Sequence, residues 1–118
     1  MEQQKIATRE GYGKGLAELG KINDKVVVID ADLGDSTKAE IFGKQFPDRF
    51  FPMGIAEQDM IGTAAGFSVT GKIPYASTFA IFSERAFEFV RNIVSRNKLN
   101  VKITGSHAGI TTGEDGKS

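Results

Sequence analysis

The run "KVVVIDA" at residues 25–31 decides the fold. Val26, Val27, Val28 and Ile29 follow one another with no polar residue between them. A strand with one wet face alternates apolar and polar side chains. A strand covered on both faces reads as an unbroken apolar run. This segment is therefore expected in the interior of a sheet that carries helices on both sides.

Working outward, the flanking segments keep an alternating rhythm. Upstream, Thr8 is placed to cap a helix that runs to about Ile22, with Leu16, Leu19 and Ile22 as its apolar stripe. Gly11, Gly13 and Gly15 weaken that helix, so its neighbours must hold it. Downstream, "DLGDSTK" (32–38) reads as a loop, and "AEIFGKQF" (39–46) as a short helix stopped by Pro47. "RFFPM" (49–53) is extended, and a helix rich in small residues covers 56–69 before Gly71. "KIPYAST" (72–78) reads as a strand. Residues 79–96 read as a long helix with Phe82, Ala86, Phe89 and Ile93 on one face. "LNVKITG" (99–105) is a last strand, followed by a polar, glycine-rich tail. Strands alternating with helices give an α/β fold with a mainly parallel sheet. In such sheets ligands sit beyond the carboxyl ends of the strands. Residues 30–38, 54–58, 77–79 and 105 onward are thus expected on one rim.

Composition narrows the function classes. The chain has 118 residues, enough for one domain at most, with 15 basic and 15 acidic side chains. That balance argues against a nucleic-acid or membrane-surface role. No apolar run approaches the length of a spanning helix, and the polar start is unlike a secretory signal. The absence of cysteine excludes disulfides and thiol catalysis within this chain and fits a cytoplasmic protein. A single histidine leaves no multi-histidine metal site. The 14 glycines fall at element ends and in one loop, as turns and close ligand approach require.

Several side chains then carry two readings each. Glu57 falls at a strand-to-helix junction. As a first-turn acid it complements the helix dipole, a contribution of about 0.3–1 kcal/mol. As a carboxyl in an apolar cleft it shares a proton with a ligand base. Gln58 and Asp59 beside it keep the first reading open. Phe79 and Phe82, one helical turn apart, are core side chains or a wall for a flat heterocycle. Asp30, Asp32 and Asp35 suggest a metal loop, but the spacing lacks the closing glutamate of a calcium hand. No G-x-x-x-x-G-K-[ST] phosphate loop is present. His107 and Asp115, in a glycine-rich loop, are solvated or ligand-facing.

Together, "ATREGYGKGLAELGK", "VVVIDADLGDSTK", "FPMGIAEQDMIGTAAGFSVTGKIPYASTFAIF", "RAFEFVRN" and "GSHAGITTGEDG" resemble the pyrimidine-binding domain of the transketolase family, in family order and over nearly the whole chain. "GIAEQ" followed by "STF" is the more specific element. The resemblance implies a thiamine-diphosphate enzyme that moves a two-carbon ketol unit between sugar phosphates. It implies that Glu57 hydrogen-bonds the ring nitrogen of the cofactor's aminopyrimidine and so helps activate the thiazolium carbon. By the same resemblance Phe79 and Phe82 line the pyrimidine, and Asp32 lies near the cofactor at a subunit junction. Arg9 and Ser36 hold a sugar phosphate, His107 binds substrate, and Asp115 contacts a substrate hydroxyl.

Two departures shape the expectation further. In the family the diphosphate and Mg2+ are held by a separate domain with a G-D-G…N motif, which is absent here. The His-Gln pair that follows in relatives is also missing, so residues 1–118 are read as a partial domain, incomplete at its C-terminus. The chain then looks like the start of the C-terminal subunit of a split transketolase, with no metal ligands of its own. It is expected to work in a homo- or hetero-oligomer with a diphosphate-binding subunit, and to expose an apolar rim around Phe79, Phe82 and residues 56–69. At position 85, where some transketolases carry an aromatic, this chain has Arg85. A 1-deoxyxylulose-5-phosphate synthase-like subunit is a close alternative. A non-catalytic assembly subunit is a more distant one.

Overall fold

The computed structural model describes residues 3–111, together with Gly113, Glu114 and Gly116. Its centre is a four-stranded, all-parallel sheet in the order β2-β1-β3-β4. The strands are β1 (Val26–Asp30), β2 (Phe50–Pro52), β3 (Ile73–Phe79) and β4 (Lys102–Ser106). Every residue of β1 is buried, as its unbroken apolar run requires. Val26 and Val28 pack with Leu16, Ala39 and Phe42 on one side of the sheet. Val27 and Ile29 pack with Met60, Ile61, Ala64 and Ala76 on the other. The period of two thus feeds two cores from one strand.

Helix α1 (Thr8–Ile22) covers the first side. It buries Gly13, Leu16, Ala17 and Gly20, whereas Ile22 is exposed, contrary to the expected stripe. Two glycines explain the shift. A Cβ on Gly13 would stand 2.5 Å from the Lys38 carbonyl oxygen, and one on Gly20 would stand 2.6 Å from the rings of Phe42 and Phe46. The helix turns its small residues inward so that its backbone lies against α3 (Glu40–Gln45). Thr8 is the first helical residue and makes no side-chain cap; Ala7 holds the cap position. Arg49 secures the far end of α1. It donates to the carbonyls of Gly20, Asn23 and Val26 and lies 4.1 Å from the Phe46 ring centroid.

Two further expectations are corrected. The segment read as a loop contains a one-turn helix, α2 (Gly34–Thr37), closed by Lys38 in the left-handed conformation. The Thr37 hydroxyl bonds back to the Leu33 carbonyl and steadies that turn. The long helix expected over 79–96 is broken into pieces. Phe79 ends β3, and α5 (Ala80–Ser83), a 3-10 turn (Glu84–Ala86), α6 (Phe87–Phe89) and a π-helical stretch (Val90–Ser95) follow. The widened last turns free carbonyls at Asn92 and Ile93, and the Asn97 side-chain amide donates to both. This segment and α4 (Glu57–Val69) cover the second side of the sheet through Ala86, Phe89, Ile93 and Val94.

Candidate functional site

Because all four strands are parallel, the segments leaving them emerge on one rim. The chain passes from β1 outward to β2, then returns to β3 on β1's other side. That reversal opens a crevice at the carboxyl end of β1, the place where such sheets bind ligands. A cavity of about 340 Å³ lies there, lined by Ala31, Asp32 and Leu33 after β1, Ile55 and Glu57 after β2, and Phe82 and Arg85 after β3.

Glu57 is the first residue of α4 and is only 5% exposed. The N-terminus of a helix favours its negative charge. Its Oε1 accepts from Arg85 Nη1 at 3.5 Å. Phe82 forms an aromatic wall of the cavity. Phe79 stands behind it, not one helical turn along but at the end of β3, with ring centroids 5.5 Å apart and planes within 11°. Phe79 also stacks on His107 at 3.9 Å. Asp32 reaches the cavity wall with a left-handed backbone, φ 64°, unusual for a residue other than glycine.

A second cavity, of about 460 Å³, opens on the same rim and is lined by Ala7, Thr8, Arg9, Ser106, His107, Gly113 and Glu114. Arg9 donates to the Ser36 main-chain carbonyl at 3.2 Å and lies 3.4 Å from His107 Nε2. A guanidinium only donates. Nε2 therefore faces it as acceptor, and Nδ1 bonds the Ser106 hydroxyl at 2.7 Å. His107 itself adopts φ 56°. The structure thus groups Glu57, Asp32 and Phe82 around one cavity and Arg9 and His107 at a second, whereas Ser36 is outside that lining and meets it only through its carbonyl bond with Arg9. Phe79 stands between them. Asp115 lies outside the described residues.

The three-aspartate metal loop does not form. Asp30 is buried, Asp35 is exposed on α2, and no cluster of three or more His, Asp or Glu side chains able to hold a metal occurs among the described residues. Instead Asp30 accepts from the Leu33 N–H with both oxygens, at 3.3 and 3.2 Å, and so shapes the loop that carries Asp32. Burial pushes its carboxyl above the usual aspartate range, against backbone hydrogen bonds from Leu33, Gly34 and Asp32. Sequence reasoning missed this role, and it missed Tyr12. The Tyr12 hydroxyl hydrogen-bonds the Ser77 hydroxyl, Ser77's partner across the sheet is Asp30, and burial raises the ionisation of Tyr12 above the phenol range. A polar atom on an otherwise core-facing helix residue was the only available signal for Tyr12.

The comparisons with known proteins bear on the family and the fold. Residues 4–118 match the model of the transketolase pyrimidine-binding domain. The chain is 59% identical, over 93% of its length, to a protein named as a transketolase C-terminal section from Methanocaldococcus jannaschii, of which it spans 35%. It is 44% identical over 97% of its length to human transketolase and spans 18% of it. Among solved structures, a split-gene transketolase described as an inactive β4 tetramer superposes with a TM-score of 0.78 at 62% identity, covering 86% of this chain and 34% of that one. The Campylobacter jejuni transketolase superposes with a TM-score of 0.82 at 30% identity, covering 93% of this chain and 18% of that one. The chain belongs to the transketolase pyrimidine-binding domain family.

Proposed function

We propose that this chain supplies the pyrimidine half of a thiamine-diphosphate site in a transketolase, and that it works as part of the C-terminal subunit of a split enzyme. The observation that carries the reading is Glu57, a buried carboxylate at a helix N-terminus, facing a cavity walled by Phe82. A single buried acid, Glu57, with the flat ring of Phe82 and the apolar side chains of Leu33 and Ile55, suits a flat heterocycle with a ring nitrogen, while Asp32 and Arg85 stand exposed at the cavity edge. Bound there, thiamine diphosphate supplies the carbon centre that accepts a two-carbon ketol unit. Glu57 holds a proton between its carboxylate and the pyrimidine ring nitrogen. Phe82 orients the ring, Phe79 backs Phe82, Asp32 closes the cavity edge, and Leu33 and Ile55 give the cavity apolar walls.

The second cavity suits a sugar phosphate. Arg9 presents its planar fork beside His107, a geometry that matches phosphate oxygens. Ser36 anchors Arg9 through its carbonyl, and the family resemblance assigns a substrate hydroxyl to Asp115, which lies outside the described residues. We assign the diphosphate and Mg2+ to a partner chain, a reading supported by the likeness to a transketolase C-terminal section and to a split-gene transketolase. The solved relative described as an inactive β4 tetramer supports dependence on such a partner. The reading is tested by Glu57→Gln in the assembled enzyme. Ketol transfer falls by at least ~100-fold, the scale of a lost proton-transfer group, while the melting temperature holds. Near-normal turnover with cofactor bound would contradict it.

A further inference from the structure

Arg85 stands where two cavities meet. It lines the one described above and a neighbouring one of about 550 Å³ bounded by Ile55, Gln58 and Asp59, with Glu57 between them. Its main chain is fixed. The Arg85 carbonyl accepts from the Gln58 side-chain amide at 3.2 Å, and the next residue, Ala86, is fully buried. Its side chain is not fixed in the same way. It is 64% exposed and reaches Glu57, whose own side chain is 4% exposed, at 3.5 Å. On the way its guanidinium passes 5.7 Å from the Phe82 ring centroid.

We propose that Arg85 is a displaceable counter-ion for Glu57. It occupies the carboxylate in the cofactor-free protein and gives it up when the pyrimidine nitrogen arrives. The proposal rests on the reading of Glu57 given above. A carboxylate buried in an apolar cleft is costly without a partner. Arg85 is the only ion-pair partner of Glu57 among the described residues. A permanent structural pair would be short and enclosed. This one is long and opens to solvent on the arginine side, so it is weak and easily exchanged. Ligand and arginine also compete for the same surroundings, since both lie against Phe82. The latch therefore keeps Glu57 paired before the cofactor binds and lowers apparent cofactor affinity slightly, as any competing closed state does. Arg85 acts through Glu57 and is a positioning residue.

The test is a double-mutant cycle in the assembled protein, with Arg85→Met, which keeps an apolar stem, Glu57→Gln and the pair. Melting temperatures are measured without thiamine diphosphate and at saturation, with cofactor Kd by calorimetry. Without cofactor, Arg85→Met lowers the melting temperature when Glu57 is present and not when it is Gln. At saturation this coupling vanishes. Arg85→Met binds the cofactor about two- to fivefold more tightly, the scale of one exposed ion pair, and Arg85→Lys restores the wild-type value. Coupling that persists at saturation, or weaker binding by Arg85→Met, overturns the proposal and makes Arg85 a permanent wall of the site. A wild-type protein that gains no thermal stability from thiamine diphosphate overturns the Glu57 reading and the latch with it. A cofactor effect that Arg85→Met leaves unchanged overturns the latch alone.

Discussion

At the scale of single residues, the rim combines acids with opposite jobs. Glu57 faces a cavity, whereas Asp30 faces its own loop. Burial raises the Asp30 carboxyl above the usual aspartate range. The folded chain therefore holds that proton more readily than the unfolded chain, between the ordinary aspartate value and the raised one. Over that window stability falls as pH rises, and the ionised group is a net cost at neutral pH. Asp30→Asn removes the dependence, so the wild type gains on the variant as pH drops from about 7 toward about 4. Urea denaturation of both proteins at the two ends checks this, and the opposite trend contradicts it. Arg9 answers to a different test. Arg9→Ala weakens phosphorylated acceptors by about 1.5–3 kcal/mol, the scale of a charged hydrogen bond, and leaves non-phosphorylated ones nearly unchanged in KM. Equal losses for both would mark Arg9 as a brace for the Ser36 loop. Residues with an unusual chemistry for their setting, such as Glu57 between apolar stretches, were legible in the sequence. Asp30 and Tyr12 were not, because their partners lie across the sheet or on a backbone turn that only the fold brings near.

Among the elements, the strands were the most legible and the segment after β3 the least. An apolar run such as Val26 to Ile29 has one physical outcome in a layered fold. The pattern Ala86, Phe89, Ile93 fits an α-helix, and it tolerates equally the 3-10 and π turns found there, because such turns shift the face by less than the width of an apolar stripe. The apolar stripe of α1 was misread for another reason. Periodicity weighs large side chains, whereas α1 packs by the absence of them at Gly13 and Gly20. This makes neighbouring glycines behave oppositely. A Cβ at Gly15 meets nothing within 4 Å, so Gly15→Ala stabilises by about 0.5–1 kcal/mol through helix propensity. A Cβ at Gly13 meets the Lys38 main-chain oxygen, which cannot step aside without moving the loop. Gly13→Ala therefore destabilises by about 1–3 kcal/mol, the usual cost of overpacking. Chemical denaturation of the two variants side by side decides the matter, and a gain for both would mean that α1 does not press on that loop.

For the whole molecule, the surface carries apolar side chains in the open, and Ile55 among them lines the cavity. Ile55, Ile81 and Phe87 are 74%, 54% and 67% exposed. An apolar rim was expected around Phe79, Phe82 and residues 56–69; Phe79 and Phe82 are half-buried, and within that helix Val69 is exposed. Further exposed apolar side chains lie on the loop before α4 and on α5 and α6. Exposed apolar side chains suit contact with another chain, consistent with the proposal that the candidate site is completed by a diphosphate-binding subunit. The pyrimidine side alone offers one buried carboxylate and aromatic faces, and fixing a cofactor costs a comparable amount of free energy. The isolated chain is therefore expected to bind thiamine diphosphate only at millimolar concentration or weaker. Ketol transfer between sugar phosphates, assayed with this chain alone, with a diphosphate-binding subunit alone and with the two mixed, tests the account most directly. Turnover is predicted only in the mixture, and substantial turnover by this chain alone would contradict it.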